Sequence, residues 1–213
     1  IGDIHVPLGV HRNPRRPVEL AITLAGLTET GLVLAVRREF LDAIVAPIGN
    51  SGQQLPGAIG DSDNYGRAAR HYPCMSLDEL CALGVQDLAA DRTVLFMWST
   101  APMLRDAMKV LEAWGFSYKA QFVWDKVRHN FGHYNSVRHE LLRICTRGSC
   151  TPEHVELLDS VQNIKRTGHS EKPEQFRHII ETLYPSARKI ELFRRGDTPD
   201  GWDVWGNEAG GSR

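Results

Sequence analysis

Apolar and polar positions alternate along this chain with two distinct periods. Thr93-Val94-Leu95-Phe96-Met97-Trp98 is a short, unbroken apolar run and predicts a buried strand. Pro102 then opens a helical pattern in which Leu104, Ala107, Met108, Leu111 and Trp114 recur every three or four residues, and Gly115 marks its end. Strands are predicted over Tyr118 to Trp124 and His139 to Thr146, and the polar stretch from Gly148 to Ser160 reads as a surface loop. A second helix follows Ser170-Glu171-Lys172-Pro173, with Pro173 at its first position. Its apolar stripe is Phe176, Ile179, Ile180 and Leu183, and Pro185 ends it; Lys189 to Phe193 is a further strand. This order predicts an α/β sheet, with ligands beyond the carboxyl ends of the strands.

The upstream half is less regular. Ser76-Leu77-Asp78-Glu79 has the form of a capping box, followed by a short face of Leu77, Leu80 and Leu83. Ser51 to Arg70 is rich in Gly, Asn, Gln and Asp and reads as a long loop, either functional or mobile. Pro17 to Leu27 is read as a helix, Gly31 to Val36 as a strand, and Phe40 to Ala46 as the next apolar segment. Residues 1–36 are set apart as a short appendage, and residues 37–213 as the main domain.

Composition narrows the function classes. With 213 residues and a formal charge of −1, the chain gives no net electrostatic signal for nucleic acid. Binding would have to use a local patch, such as Arg12, Arg15, Arg16, Arg37 and Arg38, or Lys126, Arg128 and His129. The four cysteines have no zinc-knuckle spacing, so no metal is expected. No apolar run approaches a membrane span, and a cytoplasmic protein is the default expectation. The chain begins at Ile1 without an initiator Met, as a fragment or processed form would.

Several ordered stretches resemble the adenine-specific methyltransferases related to the catalytic subunit of the eukaryotic mRNA adenosine methyltransferase, a group that includes bacterial and phage DNA methylases. They are Tyr72-Pro73-Cys74-Met75-Ser76, Leu95-Phe96-Met97-Trp98, Trp114-Gly115-Phe116, Val123-Trp124-Asp125-Lys126, Gly132-His133-Tyr134 and His139-Glu140-Leu141-Leu142. Arg147-Gly148, His169-Ser170-Glu171-Lys172-Pro173, Tyr184-Pro185, Glu191-Leu192-Phe193-Arg194-Arg195 and Gly201-Trp202-Asp203-Val204-Trp205-Gly206-Asn207-Glu208 complete the set. The resemblance implies a Rossmann-like class I S-adenosylmethionine-dependent methyltransferase fold with permuted motif order. It implies S-adenosyl-L-methionine as cofactor and methyl transfer to the exocyclic amine of adenine in nucleic acid, DNA ahead of RNA. Homo- or hetero-oligomeric assembly is left open. Residues 1–36 carry a weak resemblance to the start of a ParB-like domain; an ordinary strand and helix packing on the core is the equal alternative.

The family's Asp-Pro-Pro-Trp signature should follow a strand such as Asp42 to Ala46, but Ala46 is followed by Pro47-Ile48-Gly49-Asn50. That tetrad holds the hydrogens of a weakly nucleophilic amine and stacks on an unpaired base. Without it the catalytic residues are unknown. Two explanations stand: residues are left out between Ala46 and Pro47, or the protein is a catalytically silent relative that binds nucleic acid or a partner subunit. By the same resemblance Lys172 meets the cofactor's carboxylate. A lysine at a helix start opposes the macrodipole and so needs a compensating partner. Glu191, Phe193 and Arg195 line the cofactor pocket, Asn207 and Glu208 bind its ribose or adenine, and His133 and Tyr134 border the nucleotide. Glu140 is read as a structural partner for a basic group.

Overall fold

The computed structural model describes residues 32–36, 75–130, 134–166, 172–205 and 208–209. Its centre is β1 (Leu32–Val36), which runs parallel to β2 (Thr93–Ser99) on one side and to β6 (Arg188–Leu192) on the other. Beyond β2 lie β4 (Val137–Arg147) and β3 (Ser117–Asn130), both in antiparallel pairings, and then the short edge strand β5 (Val161–Asn163), parallel to β3. Beyond β6 lies the parallel strand β8 (Trp202–Trp205). The sheet is therefore mixed, in the order β5-β3-β4-β2-β1-β6-β8, and β7 (Arg195–Gly196) pairs separately with β9 (Glu208–Ala209).

Every side chain of β2 is buried, which explains its unbroken apolar run. Leu95 and Met97 face a core formed with α1 (Leu77–Cys81), α2 (Val85–Leu88) and α3 (Leu104–Ala113). Val94, Phe96 and Trp98 face the other way, onto α4 (Glu174–Leu183). A strand buried on both faces loses its polar alternation, and each fully buried Leu, Met or Phe contributes about 1.5–3 kcal/mol. The helices keep their stripes because only one side of each meets the sheet. On α4 the buried residues are Phe176, Ile180 and Leu183.

The local signals hold with small shifts, except that β3 runs on past the predicted end at Trp124 to Asn130. Ser76 accepts from the Glu79 amide at 3.2 Å, and Glu79 accepts from the Ser76 amide at 2.7 Å, completing the capping box. Gly115 ends α3 with φ 76°. Leu104, expected on the apolar stripe, is turned to solvent in the first turn of α3, and Val110, which that stripe did not include, is buried in the core. Pro173 caps α4 from just outside it, one position before the place expected. At Gly148 (φ 65°) a Cβ would stand 2.2 Å from the Asp91 carbonyl, so glycine is required where β4 leaves the sheet.

Leu32–Val36, read from sequence as the end of an appendage, occupies the middle of the sheet. The rest of residues 1–36, the Asp42–Ala46 segment and the Ser51–Arg70 loop lie outside the described residues. Among the described residues no helix is long and apolar enough to cross a membrane.

Candidate functional site

The parallel strands β1, β2, β6 and β8 all end on one edge of the sheet, where ligands of α/β proteins bind. The antiparallel strand β4 starts at that same edge, since Ser99 pairs with Leu141 and Trp98 with Leu142. Register then sets Trp124 of β3 beside Glu140 of β4. The start of α4 brings Lys172 to the same place. Four chain segments that are far apart in sequence thus converge on one point.

Glu140 is buried at that point and faces two ammonium groups. Lys126 donates a hydrogen bond to its Oε1 at 2.9 Å. Lys172 Nζ lies 2.9 Å from Oε2 as an ion pair. Lys172 Nζ also stands 5.4 Å from the ring centre of Trp98 and 5.9 Å from that of Trp124. Such distances give a favourable cation–π term. The counter-charge that a lysine at a helix start needs is thus Glu140, and the expected structural role of Glu140 is filled twice over.

Glu191, the penultimate residue of β6, is buried, with Arg194 Nη1 at 3.2 Å and Arg177 Nη2 at 3.7 Å from its Oε2. Its charge is engaged by protein cations. Phe193, next but one in the chain, leaves the strand with φ 60° and packs edge-on against Trp205, ring centres 5.1 Å apart. Backbone pairing sets Arg195 directly opposite Glu208, so two residues expected at one cofactor are neighbours in the fold. Tyr134 is fully exposed, 102%. His133 and Asn207 lie outside the described residues. Trp202 is buried, and its indole donates to Glu181 at 2.8 Å. A shallow hollow lined by Arg188, Lys189, Gly201, Trp202 and Asp203 opens where β6 and β8 begin, at the opposite edge.

The MT-A70 family model matches residues 62–208. The chain belongs to the MT-A70 family. Type II methyltransferase M.MunI of Mycoplasma sp is 39% identical over 143 residues, covering 66% of this chain and 61% of that protein. An N(6)-adenosine-methyltransferase MT-A70-like protein of Arabidopsis thaliana is 29% identical over 154 residues, 67% of this chain and 22% of its own length. The N(6)-adenosine-methyltransferase catalytic subunit METTL3 of Homo sapiens is 26% identical over 151 residues, 66% of this chain and 26% of its own. The match thus spans about three fifths of the Mycoplasma protein and about a quarter of the other two. Membership of the MT-A70 family implies the S-adenosylmethionine-dependent methyltransferase fold, in keeping with the mixed α/β sheet.

Sequence reasoning placed Lys126 only in a basic patch with Arg128 and His129, whereas the structure buries it against Glu140, and it did not single out Trp98 or Trp124 as site residues. A signal existed: Trp124 and Lys126 are two apart on a strand and so share a face. Their common target, Glu140, becomes visible only once β3 and β4 are paired.

Proposed function

We propose that this chain is an S-adenosylmethionine-dependent methyltransferase domain directed at the exocyclic amine of adenine in nucleic acid. The observation that carries the reading is that the family match spans the convergence of Lys172, Glu140, Trp98 and Trp124 at the carboxyl edge. That chemistry suits the cofactor. A buried ammonium complements a carboxylate, and indole faces attract a cationic sulfonium. When bound, the cofactor supplies an electrophilic methyl group. Lys172 would hold its carboxylate; Arg195, Asn207 and Glu208 its ribose and adenine; Glu191 and Phe193 would border it. His133 and Tyr134 would flank the incoming nucleotide. The cofactor residues follow most of the sheet in the chain, the order of a permuted Rossmann-like methyltransferase. DNA is put ahead of RNA because the 39% identity is with a protein named a type II methyltransferase, and the 26–29% with proteins named adenosine methyltransferases.

A second reading, a silent fold that binds nucleic acid or an active partner subunit, is favoured by one fact. Asp-Pro-Pro-Trp occurs nowhere in the 213 residues. Groups that orient and polarise a reacting amine act mainly in the transition state, and the loss of each such donor costs about 2.7–4 kcal/mol. The test is transfer of radiolabelled methyl to unmethylated DNA and to RNA. The unaltered chain is compared with one carrying Asp-Pro-Pro-Trp between Ala46 and Pro47. Negligible transfer by the first and transfer by the second, greater on DNA, is expected. Silence from both with cofactor bound would favour the binding module. Strong transfer by the unaltered chain would mean that another carboxylate, such as Asp61 or Asp63, orients the amine.

A further inference from the structure

Lysine is a long, flexible side chain with about 2 kcal/mol of rotamer entropy, and it loses its proton readily when buried without a counter-charge. Lys172 is buried, so a ligand carboxylate can use its ammonium only if the fold keeps that group both charged and fixed. Glu140 does both. It is itself fixed from the other side by Lys126, so it is not free to follow Lys172.

The hairpin holds Lys126 by a strained turn. β3 leaves its register with β4 between Asp125 and Asn130. Val127, the residue after Lys126, has φ 64°, a conformation that a β-branched residue seldom adopts. Asp125 stabilises it. Its Oδ1 accepts from the Val127 amide at 2.9 Å, and its Oδ2 accepts from Arg138 at 2.7 Å. Strain of this kind persists where the surroundings over-determine it and clusters at functional sites.

We propose that Glu140, anchored by Lys126 and the Val127 turn, is the positioning residue that sets Lys172 for the carboxylate of the cofactor. The inference rests on the cofactor reading above. Glu140 would touch neither the methyl group nor the adenine, so its effect must depend on whether the ligand has a carboxylate.

The test pairs a protein change with a ligand change. Isothermal titration measures S-adenosylhomocysteine, which carries the amino-acid tail, and 5′-methylthioadenosine, which lacks it. The proteins are the unaltered chain, Lys172→Ala and Glu140→Gln. Both variants should lose affinity for S-adenosylhomocysteine by about tenfold or more, the usual worth of a charge-assisted contact. Affinity for 5′-methylthioadenosine should stay within about twofold, and the double variant should lose little beyond either single one. Equal loss on both ligands, or none on either, with Glu140→Gln would overturn the positioning role and leave the cofactor reading intact. Failure of the unaltered chain to bind S-adenosylhomocysteine would overturn the cofactor reading itself. If thermal unfolding reveals that Glu140→Gln does not fold, Glu140→Asp replaces it. That change keeps the charge but draws it back by one methylene, so the same ligand-selective loss, smaller in size, is expected. Its absence would overturn the proposal.

Discussion

The carboxylate of Glu140 and the ammonium of Lys126 meet at 2.9 Å with side chains only 1% and 6% exposed. The two residues lie 14 positions apart, on opposite arms of the β3–β4 hairpin. Charges this deep are costly to leave unmatched, and the energetic consequence of separating them can be measured.

Lys126→Met should destabilise the fold by about 1–3 kcal/mol, the usual cost of leaving a buried polar partner short of a hydrogen bond. Complete loss of the partner in an isolated buried pair costs more, about 3–5 kcal/mol, but Lys172 remains beside Glu140 here. Urea unfolding at neutral pH measures the change. A difference below about 0.5 kcal/mol would mean that the pair contributes nothing to stability.

Val127→Gly should leave stability unchanged or raise it. Relief of the left-handed strain is worth about 1–3 kcal/mol, against about 0.4–1 kcal/mol for the greater freedom of glycine in the unfolded chain. Val127 is about half exposed, so little packing is lost. Destabilisation by more than about 1 kcal/mol in the same urea experiment would contradict a strained turn.

Arg143→Leu should stabilise the protein by about 1–3 kcal/mol. Arg143 is fully buried on β4 and stands opposite Met97 of β2 and Gln121 of β3. Among the described residues its two terminal nitrogens have no hydrogen-bond partner, and burial pushes the guanidinium below its ordinary range. Leucine fits within the volume of arginine and brings no charge. A lowered melting temperature for Arg143→Leu would mean that the guanidinium has a partner that stabilises it.

Burial pushes the Cys145 thiol up to about 12, an effect only partly offset by the nearby Arg143 guanidinium. The folded state therefore keeps this proton at pH values where the unfolded chain, near its ordinary 9.0, releases it. The stability linked to it is complete below about pH 9 and is lost as pH rises towards about 12. Tyr184, raised mainly by burial, acts in the same direction. In native protein at pH 8, mass spectrometry after iodoacetamide should find Cys145 unmodified and the half-buried Cys81 and Cys150 modified before it. Rapid native labelling of Cys145 would refute its burial.

Much of the fold could be read from local pattern. The β2 run, the α3 and α4 stripes, the Ser76–Glu79 capping box and the stop at Gly115 depend on interactions within a few residues of each other. Less visible were β5 and β8. Val161–Asn163 is three residues long, and Trp202–Trp205 four, too short for a period to register. Such strands exist because a neighbour, β3 or β6, offers them a hydrogen-bonding edge. The central position of Leu32–Val36 was hidden for a related reason. An apolar run announces a strand but does not say which strands flank it.

The sequence by itself determined the α/β character of the chain, its longer helices and several of its strands, and the ordered motifs that mark it as a member of its family. It also determined the absence of Asp-Pro-Pro-Trp and the need of Lys172 for a counter-charge. Only the tertiary structure decided that Glu140 supplies that charge, that Lys126 shares it, and that Trp98 and Trp124 wall the pair. The reason is physical. Helical stripes and caps are set by contacts three or four residues apart, whereas the field at Lys172 is set by side chains 32, 46, 48 and 74 positions away, brought together by strand register.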